Sequence, residues 1–445
     1  MCHGASVIGP SVRATNQVTR RPTALDLYAG AGGLSLGLEQ AGFDVIAAAE
    51  VDPVHALVHR FNFPRSAVVC RDIGTLDAET LIGAIQAGWS LQHPDVPFPG
   101  TVDAVVGGPP CQGFSVGGVR RADDERNLQL LNFVGVVEFL RPRLVLLENV
   151  AGLLEDRFSE VRQVVTSRLQ RLGYRMSGHE YPVNAADFGV PQNRRRVLVF
   201  GVLDGQEPLT LESDRARVTV GEALEGLPNL SSYRSLLRSD AALLKEKDLA
   251  LRLQTAAPYA RRLAGLSRAA DDYSYEREWD SSWLTNSRRT VHTPATRRRF
   301  ERTLPGSVEP GSRLYRLSES GLSRTLRAGS GPDHGSHTSP RPIHPTLSRA
   351  ITVREAARIH GFPDWFRFHT TNWHGQRQIG NSVPPPLARA AGRALIGALG
   401  LSPSKPTETL ALGDPIWLRQ SPQGAMAILA DLKGLDEPAI SCTGT

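Results

Sequence analysis

Between residues 23 and 202 short apolar runs alternate with stretches in which leucine, valine and alanine recur at helical spacing. Runs at 25–28, 45–49, 68–70, 102–106, 144–147 and 197–200 are each bounded by Gly, Pro or charged residues. They predict strands, and their alternation with helical patterns predicts an α/β fold around a mostly parallel sheet. In such sheets chemistry gathers at the carboxyl ends of the strands. From about 204 to 344 the pattern gives way to Arg, Ser, Gly and Pro with isolated aromatics such as Trp279, Trp283 and Tyr315, which predicts a smaller, irregular domain. Helical spacing returns at 352–360 and 386–399. The last forty or so residues carry no usable pattern.

The 445 residues, 40% of them hydrophobic, give room for two packed domains and exclude a broadly disordered chain. No run of about 18 apolar residues exists, so a soluble, unexported, cytoplasmic protein is expected, with no membrane partner. Cys2, Cys70, Cys111 and Cys442 are scattered without a CxxC pair, which suggests neither disulfides nor a metal. The net charge of +6 is a mild bias toward polyanions, but it is concentrated. Residues 281–349 hold twelve arginines, no lysine and four acids, a net +8 in one stretch.

Four motifs bear chemistry. Ala24-Leu-Asp26-Leu-Tyr28-Ala-Gly30-Ala-Gly32-Gly33 runs from a buried strand into a glycine turn and a helix with Leu34, Leu38 and Ala41 on one face. The dinucleotide fingerprint GxGxxG would need glycine where Ser35 stands, so an adenosine without phosphates fits that turn better. Glu50, about 20 residues on, ends the next strand and can accept from both ribose hydroxyls, and Asp72 ends the third strand. The second motif, Gly107-Gly108-Pro109-Pro110-Cys111-Gln112-Gly113, follows the 102–106 run and puts a thiol on the same rim. A lone cysteine is more often a small buried hydrophobe, but stiffening prolines and flanking glycines leave room for a planar substrate. Third, the run at 144–147 ends in Glu148, and a carboxyl group in a desolvated pocket can hold a proton for a heteroaromatic nitrogen. Fourth, Gln192-Asn-Arg194-Arg195-Arg196 opens the last run, where strand alternation places Arg194 and Arg196 on one face and Arg195 on the other.

In this order the residues resemble the carbon-5 cytosine methyltransferases that use S-adenosyl-L-methionine. The resemblance covers about 23–202 and 341–395, and extends to Arg349-Ala-Ile-Thr352-Val-Arg354-Glu355, Gly361-Phe362-Pro363 and Gln378-Ile-Gly380-Asn381-Ser382-Val383-Pro384. It implies a Rossmann-like class I methyltransferase domain with a smaller target-recognition domain. It implies that Cys111 adds to carbon-6 of cytosine, that Glu148 engages ring nitrogen 3, and that Arg196 contacts the base carbonyl with Arg194 in support. It assigns the cofactor S-adenosyl-L-methionine to Asp26, Tyr28, Gly30, Gly32, Glu50, Asp72, Ile73, Pro110, Asn381, Ser382 and Val383. Tyr28 stands where the family usually has phenylalanine, and Gly117 where a serine is common.

The implied domains are an N-terminal extension (1–22), the catalytic domain (23–203), a variable recognition domain (204–345), a return to the catalytic domain (346–400) and a tail (401–445). The arginine stretch falls in the variable region, as suits a reader of guanine edges and phosphates. The 47 Arg against 4 Lys also fit a GC-rich genome, although that bias does not explain twelve bases over four acids in one stretch. The glycine-flanked charge run at 112–127 is expected to close over a base flipped out of duplex DNA, since cytosine carbon-6 is out of reach inside the stack. The expected protein is bacterial, nucleoid-associated and monomeric, the modification partner of a restriction endonuclease. Other readings are a tRNA methyltransferase sharing the motifs, a non-catalytic DNA-binding protein of the same fold, and an NAD-dependent oxidoreductase, the last disfavoured by Ser35.

Overall fold

A computed structural model describes residues 20–110, 125–178, 181–203, 211–213, 216–329 and 341–436. Cys111, Gly117 and most of the loop expected to close over the base lie outside the described residues.

Among the described residues nine strands lie in the first half: β1 (Thr23–Leu27), β2 (Asp44–Ala49), β3 (Ala67–Val69), β4 (Ala104–Gly107), β5 (Leu144–Val150), β6 (Arg175–Ser177), β7 (Val183–Asn184), β8 (Gln192–Asn193) and β9 (Arg195–Val202). All but β8 form one sheet in the order β3-β2-β1-β4-β5-β9-β6, with β7 also paired to β9. The first five strands run parallel and β9 enters antiparallel beside β5. Every residue of β1 and β2 is buried, as expected of parallel strands covered on both faces. One face packs under α3 (Ala78–Gln92), α4 (Glu125–Leu140) and α5 (Ser159–Arg171) through Ile85, Phe133, Val137 and Leu169.

The other face carries α1 (Gly33–Ala41) and a helix from the far end of the chain, Pro385–Leu399; α2 (Pro53–Asn62) lies between β2 and β3. After β9 come α6 (Val220–Leu224), β10 (Ala242–Leu243), α7 (Glu246–Leu253), α8 (Pro258–Leu263), β11 (Glu276–Glu278), β12 (Trp283–Leu284), α9 (Pro294–Arg302) and β13 (Ser323–Arg324). Then follow α10 (Val353–His360), α11 (Asn372–Asn381), α12 (Pro385–Leu399), β14 (Thr409–Ala411) and α13 (Pro422–Asp436). The helix α12 returns to α1 at near-backbone contact: a Cβ on Gly37 would meet that of Ala388 at 2.3 Å, and one on Gly392 would meet that of Ala41 at 2.7 Å. Two helices approach this closely only where side chains are absent.

The interval after β9 is short elements and turns, but it does not stand alone. Leu230, Tyr233, Leu236, Ala242, Leu244 and Leu284 make a small core of their own. Val220, Leu317 and Leu326 instead join Leu36, Val58, Ile351 and Phe362 in a core shared with the α/β body. Asp364 strengthens the junction: Arg358 grips it through Nε (2.9 Å) and Nη2 (2.7 Å), and Arg252 of α7 bonds the same carboxylate. The tail, patternless in sequence, is ordered by distant partners, β14 pairing parallel to β11 and α13 packing on α2.

Candidate active site

Register builds the site. Leu27 of β1 lies beside Ala49 of β2 and Gly107 of β4, and Gly107 lies beside Leu147 of β5. The next residues along those strands, Tyr28, Glu50, Gly108 and Glu148, therefore emerge in one row at the carboxyl edge. The strand ends were expected at Tyr28 and Val106; they fall at Leu27 and Gly107, because Tyr28 turns into left-handed backbone (φ 60°) to begin the glycine turn. That conformation is uncommon outside glycine. Its hydroxyl, the group that phenylalanine would lack, donates to Gln129 of α4 at 2.9 Å, so the turn is tied to the helix that follows the cysteine loop.

Glu50 is nearly fully buried, with Oε2 accepting from the Gly30 amide at 2.8 Å and Oε1 from that of Asp52 at 2.9 Å. Each oxygen keeps a further lone pair for a hydroxyl donor. Asp72 is held by the Gly74 amide (2.7 Å), with Ile73 buried beside it. Gly30 and Gly33 line the cavity, whereas Gly32 (φ 102°) turns away: a Cβ there would meet the ring of Phe63 at 2.3 Å. A Cβ on Gly33 would meet the Val383 carbonyl at 2.4 Å, which is how closely the segment 381–383 covers the turn.

Glu148 is buried within β5, which does not stop at the carboxylate as the sequence suggested but runs on to Val150, because β9 continues to pair with it through Arg196. Arg196, on the neighbouring β9, places Nε 2.8 Å from Glu148 Oε1 as an ion pair off the hydrogen-bonding direction, so that oxygen keeps no aligned donor among the described residues. Gly108 matters here because a Cβ would come within 3.1 Å of Glu148 Oε2. Asn149 donates to the carbonyl of Pro109 at 3.3 Å, tethering the backbone just ahead of Pro110 and Cys111. Arg194 and Arg196 are buried and Arg195 exposed, as alternation requires. Arg194 spends its guanidinium on the carbonyls of Leu326 (3.2 Å), Gly380 (3.0 Å) and Ser382 (2.9 Å). Gln192 accepts from the Leu326 amide (3.0 Å) and meets His360, whose other nitrogen reaches the Ser382 carbonyl (3.0 Å).

One cavity of about 560 Å³ touches Asp26, Tyr28, Gly30, Glu50, Asp72, Ile73, Pro110, Glu148, Arg194, Arg196, Asn381, Ser382 and Val383. Of the residues singled out in the sequence, Gly32 is not on its wall and Cys111 is outside the described residues. The donor set suits an adenosyl amino acid: an apolar wall at Ile73, a ribose acceptor at Glu50, and in Asp26 a buried carboxylate oxygen without a partner among the described residues.

Comparison with known proteins agrees with this geometry. Residues 23–397 match the family model of the C-5 cytosine-specific DNA methylases. The chain belongs to that family. It is 44% identical over 394 residues to the type II methyltransferase M.XorII of Xanthomonas oryzae pv. oryzae, covering 88% of this chain and 89% of that one. It is 31% identical to the type II methyltransferase M1.HphI of Haemophilus parahaemolyticus, over 84% of this chain and 86% of the relative. Among solved structures, a protein described as a DNA modification methyltransferase encoded within an E. coli prophage superposes with a TM-score of 0.66 at 31% identity, over 85% of this chain and 99% of that one. The enzyme is a DNA (cytosine-5)-methyltransferase with a mostly parallel α/β sheet.

The methylase cavity also takes in residues that sequence reasoning did not single out for the site: Asp52, His55, Arg71, Gln129, Thr325, Leu326, Arg327, Ala328 and Arg377. Arg327 was visible only as one of twelve arginines, and the structure sorts that set. Arg316 is buried, donating to the carbonyls of Phe300 (2.6 Å), Thr303 (2.9 Å) and Pro345 (3.1 Å). Arg349 holds Glu355 with two bonds of 2.8 and 2.6 Å, and Arg324 stacks over Tyr315 at 4.4 Å. Arg297, Arg298 and Arg302 are exposed on α9, a helix that buries only Phe300, and have no partner among the described residues. Val291 and Leu304, about three-quarters exposed at 77% and 73%, flank it. Among the described residues no helix is long and apolar enough to cross a membrane.

Proposed function

We propose that this methylase uses S-adenosyl-L-methionine to modify carbon-5 of cytosine within one short duplex DNA sequence, as the modification enzyme of a restriction-modification pair. The observation that carries the reading is the single cavity in which the glycine turn, Glu50 and the Glu148–Arg196 pair meet on one strand rim. Relatives named as type II methyltransferases support the pairing with an endonuclease.

In this mechanism the Cys111 thiolate adds to carbon-6 of a flipped-out cytosine while Glu148 supplies a proton to ring nitrogen 3, which breaks the ring's conjugation and makes carbon-5 nucleophilic. Arg196 steadies Glu148 and the base carbonyl. The cofactor, when bound, supplies an electrophilic methyl group. Loss of the carbon-5 proton to a general base, return of the nitrogen-3 proton to Glu148 and expulsion of the sulfur from carbon-6 together restore the aromatic ring, the Glu148 carboxyl and the thiolate. Tyr28, Gly30 and Pro110 shape the cofactor pocket, Glu50 takes the ribose hydroxyls, Asp72 and Ile73 the adenine, and Asn381, Ser382 and Val383 close it. Arg194 is a positioning residue, because the described hydrogen bonds of its guanidinium all go to backbone carbonyls of the covering segments. Residues 204–345 carry target recognition, with α9 an element that meets DNA, since Arg297, Arg298 and Arg302 on it are exposed and have no side-chain partner among the described residues, whereas Arg299 pairs with Glu309.

The test is transfer of labelled methyl to unmethylated genomic DNA and, in parallel, to tRNA, using wild type and Cys111→Ala, with modified positions mapped by bisulfite sequencing. Methylation at one recurring DNA sequence, absent in the variant, is expected. Transfer surviving in Cys111→Ala, or confined to tRNA, overturns the reading.

A further inference from the structure

Beside α9, cations gather around one histidine. The His292 ring lies edge-on to Phe300 of that helix, with centroids 5.1 Å apart, and its Nε2 accepts from the Ala350 amide at 3.1 Å. A backbone amide can only donate, so the neutral imidazole carries its proton on Nδ1. That N–H has no partner among the described residues. Burial pushes the imidazole down, and Arg341, Arg349 and Arg297 stand close enough to push it further.

The three guanidiniums differ in what balances them. Arg349 is held by the Glu355 carboxylate through bonds of 2.8 and 2.6 Å. Arg341 is half-buried, which pushes its guanidinium down, yet its Nη1 meets only a hydroxyl, that of Thr290 at 2.5 Å. Arg297 is exposed, and Arg289 beside it is depressed by burial and by the charges of Arg349 and Arg297. None of the described carboxylates acts on His292, Arg341 or Arg289 to offset this. Partly desolvated cations that repel one another need an anion, and guanidinium forks with an imidazole N–H match the oxygens of a phosphodiester.

The place suits DNA lying across the catalytic cavity. Thr290 Oγ1 also accepts from Asn372 Nδ2 at 3.4 Å, and Asn372 is the first of the ten residues of α11. The last of them, Asn381, lines the cavity. At about 1.5 Å per residue the two ends lie about 14 Å apart, roughly four base-pair steps of duplex. Backbone phosphates face outward from the duplex whereas base edges lie inside the grooves, so a recessed guanidinium such as Arg341 suits the former.

We propose that His292, Arg297 and Arg341 form a site for one backbone phosphate of the target duplex, a few base pairs from the flipped cytosine, which positions the DNA without reading its sequence. The proposal rests on the reading of residues 204–345 as the target-recognition region.

The test is fluorescence anisotropy of a duplex carrying the recognition sequence mapped by bisulfite sequencing, each phosphate in turn replaced by a neutral methylphosphonate. Wild type, Arg341→Ala and Arg341→Lys are titrated against each duplex and against one with the sequence scrambled. In wild type a neutral linkage a few steps from the target cytosine should weaken binding about tenfold, as loss of a charge-assisted hydrogen bond implies. Arg341→Ala should bind the unmodified and scrambled duplexes about tenfold more weakly and lose nothing further at that linkage, while Arg341→Lys, which keeps the charge, recovers part of the loss. Should Arg341→Ala fail to fold, Arg297→Ala, at an exposed position, is read in the same way. A variant as sensitive as wild type to every linkage, or weakened on the mapped sequence alone, overturns the proposal. So does calorimetric binding of inorganic phosphate without coupling to any linkage, which would assign the site to a free anion. Wild type that binds mapped and scrambled duplexes alike overturns the target-recognition reading itself, and the proposal with it.

Discussion

The strand rim and the arginine-rich interval place their charges by opposite means. On the rim, Tyr28, Glu50 and Glu148 each sit one residue beyond a paired strand position, so backbone register alone aligns them. In the interval, arginines that look equivalent in sequence have unrelated fates: Arg316 is spent on carbonyls at the end of α9, Arg349 on a carboxylate, and Arg297, Arg298 and Arg302 on nothing described. Regular structure converts a sequence position into a spatial one, whereas irregular structure leaves that conversion to whatever packs nearby.

Three changes sharpen or break this contrast. The largest effect is expected on the rim: Glu148→Gln should lower kcat by about 10³-fold, in the range for loss of a positioned acid–base group, with the melting transition retained. A kcat within tenfold of wild type would remove Glu148 from the chemistry. Next is the junction between the regions, where Asp364 compensates Arg252 and Arg358 and all three are buried. Asp364→Asn should cost about 3–5 kcal/mol in urea denaturation, the usual effect of stranding buried charge; a loss near zero would mean that the interval is not anchored there. The smallest effect is expected in the interval itself. Replacing Arg297, Arg298 and Arg302 by Ala should leave kcat at saturating DNA unchanged and flatten the slope of log Kd against log salt by about 2–3, at roughly 0.9 per phosphate contact. An unaltered slope would take α9 out of the DNA interface.

Legibility followed the same division. The glycine turn, the acid after β2 and the carboxylate that follows the apolar run of β5 could be read because each motif is local and adjoins an apolar run. Ser35 was noticed only as a missing glycine, and its link to Asp26 and His59 depends on α2 packing under the turn. Nothing in the tail announced β14, because three residues gain order only from β11, more than 130 positions earlier.

The sequence by itself determined the parallel sheet, the order of the motifs along it and the kind of chemistry at its edge, because buried strands and their flanking residues obey short periods. Only the tertiary structure decided which arginines remained available, how Gln192 and Arg194 fasten 326 and 380–382 over the cavity, and that one oxygen of Asp26 has no hydrogen-bond partner among the described residues. Those outcomes depend on contacts between residues far apart in the chain, where burial sets whether a charge is paired, exposed or left open for a ligand.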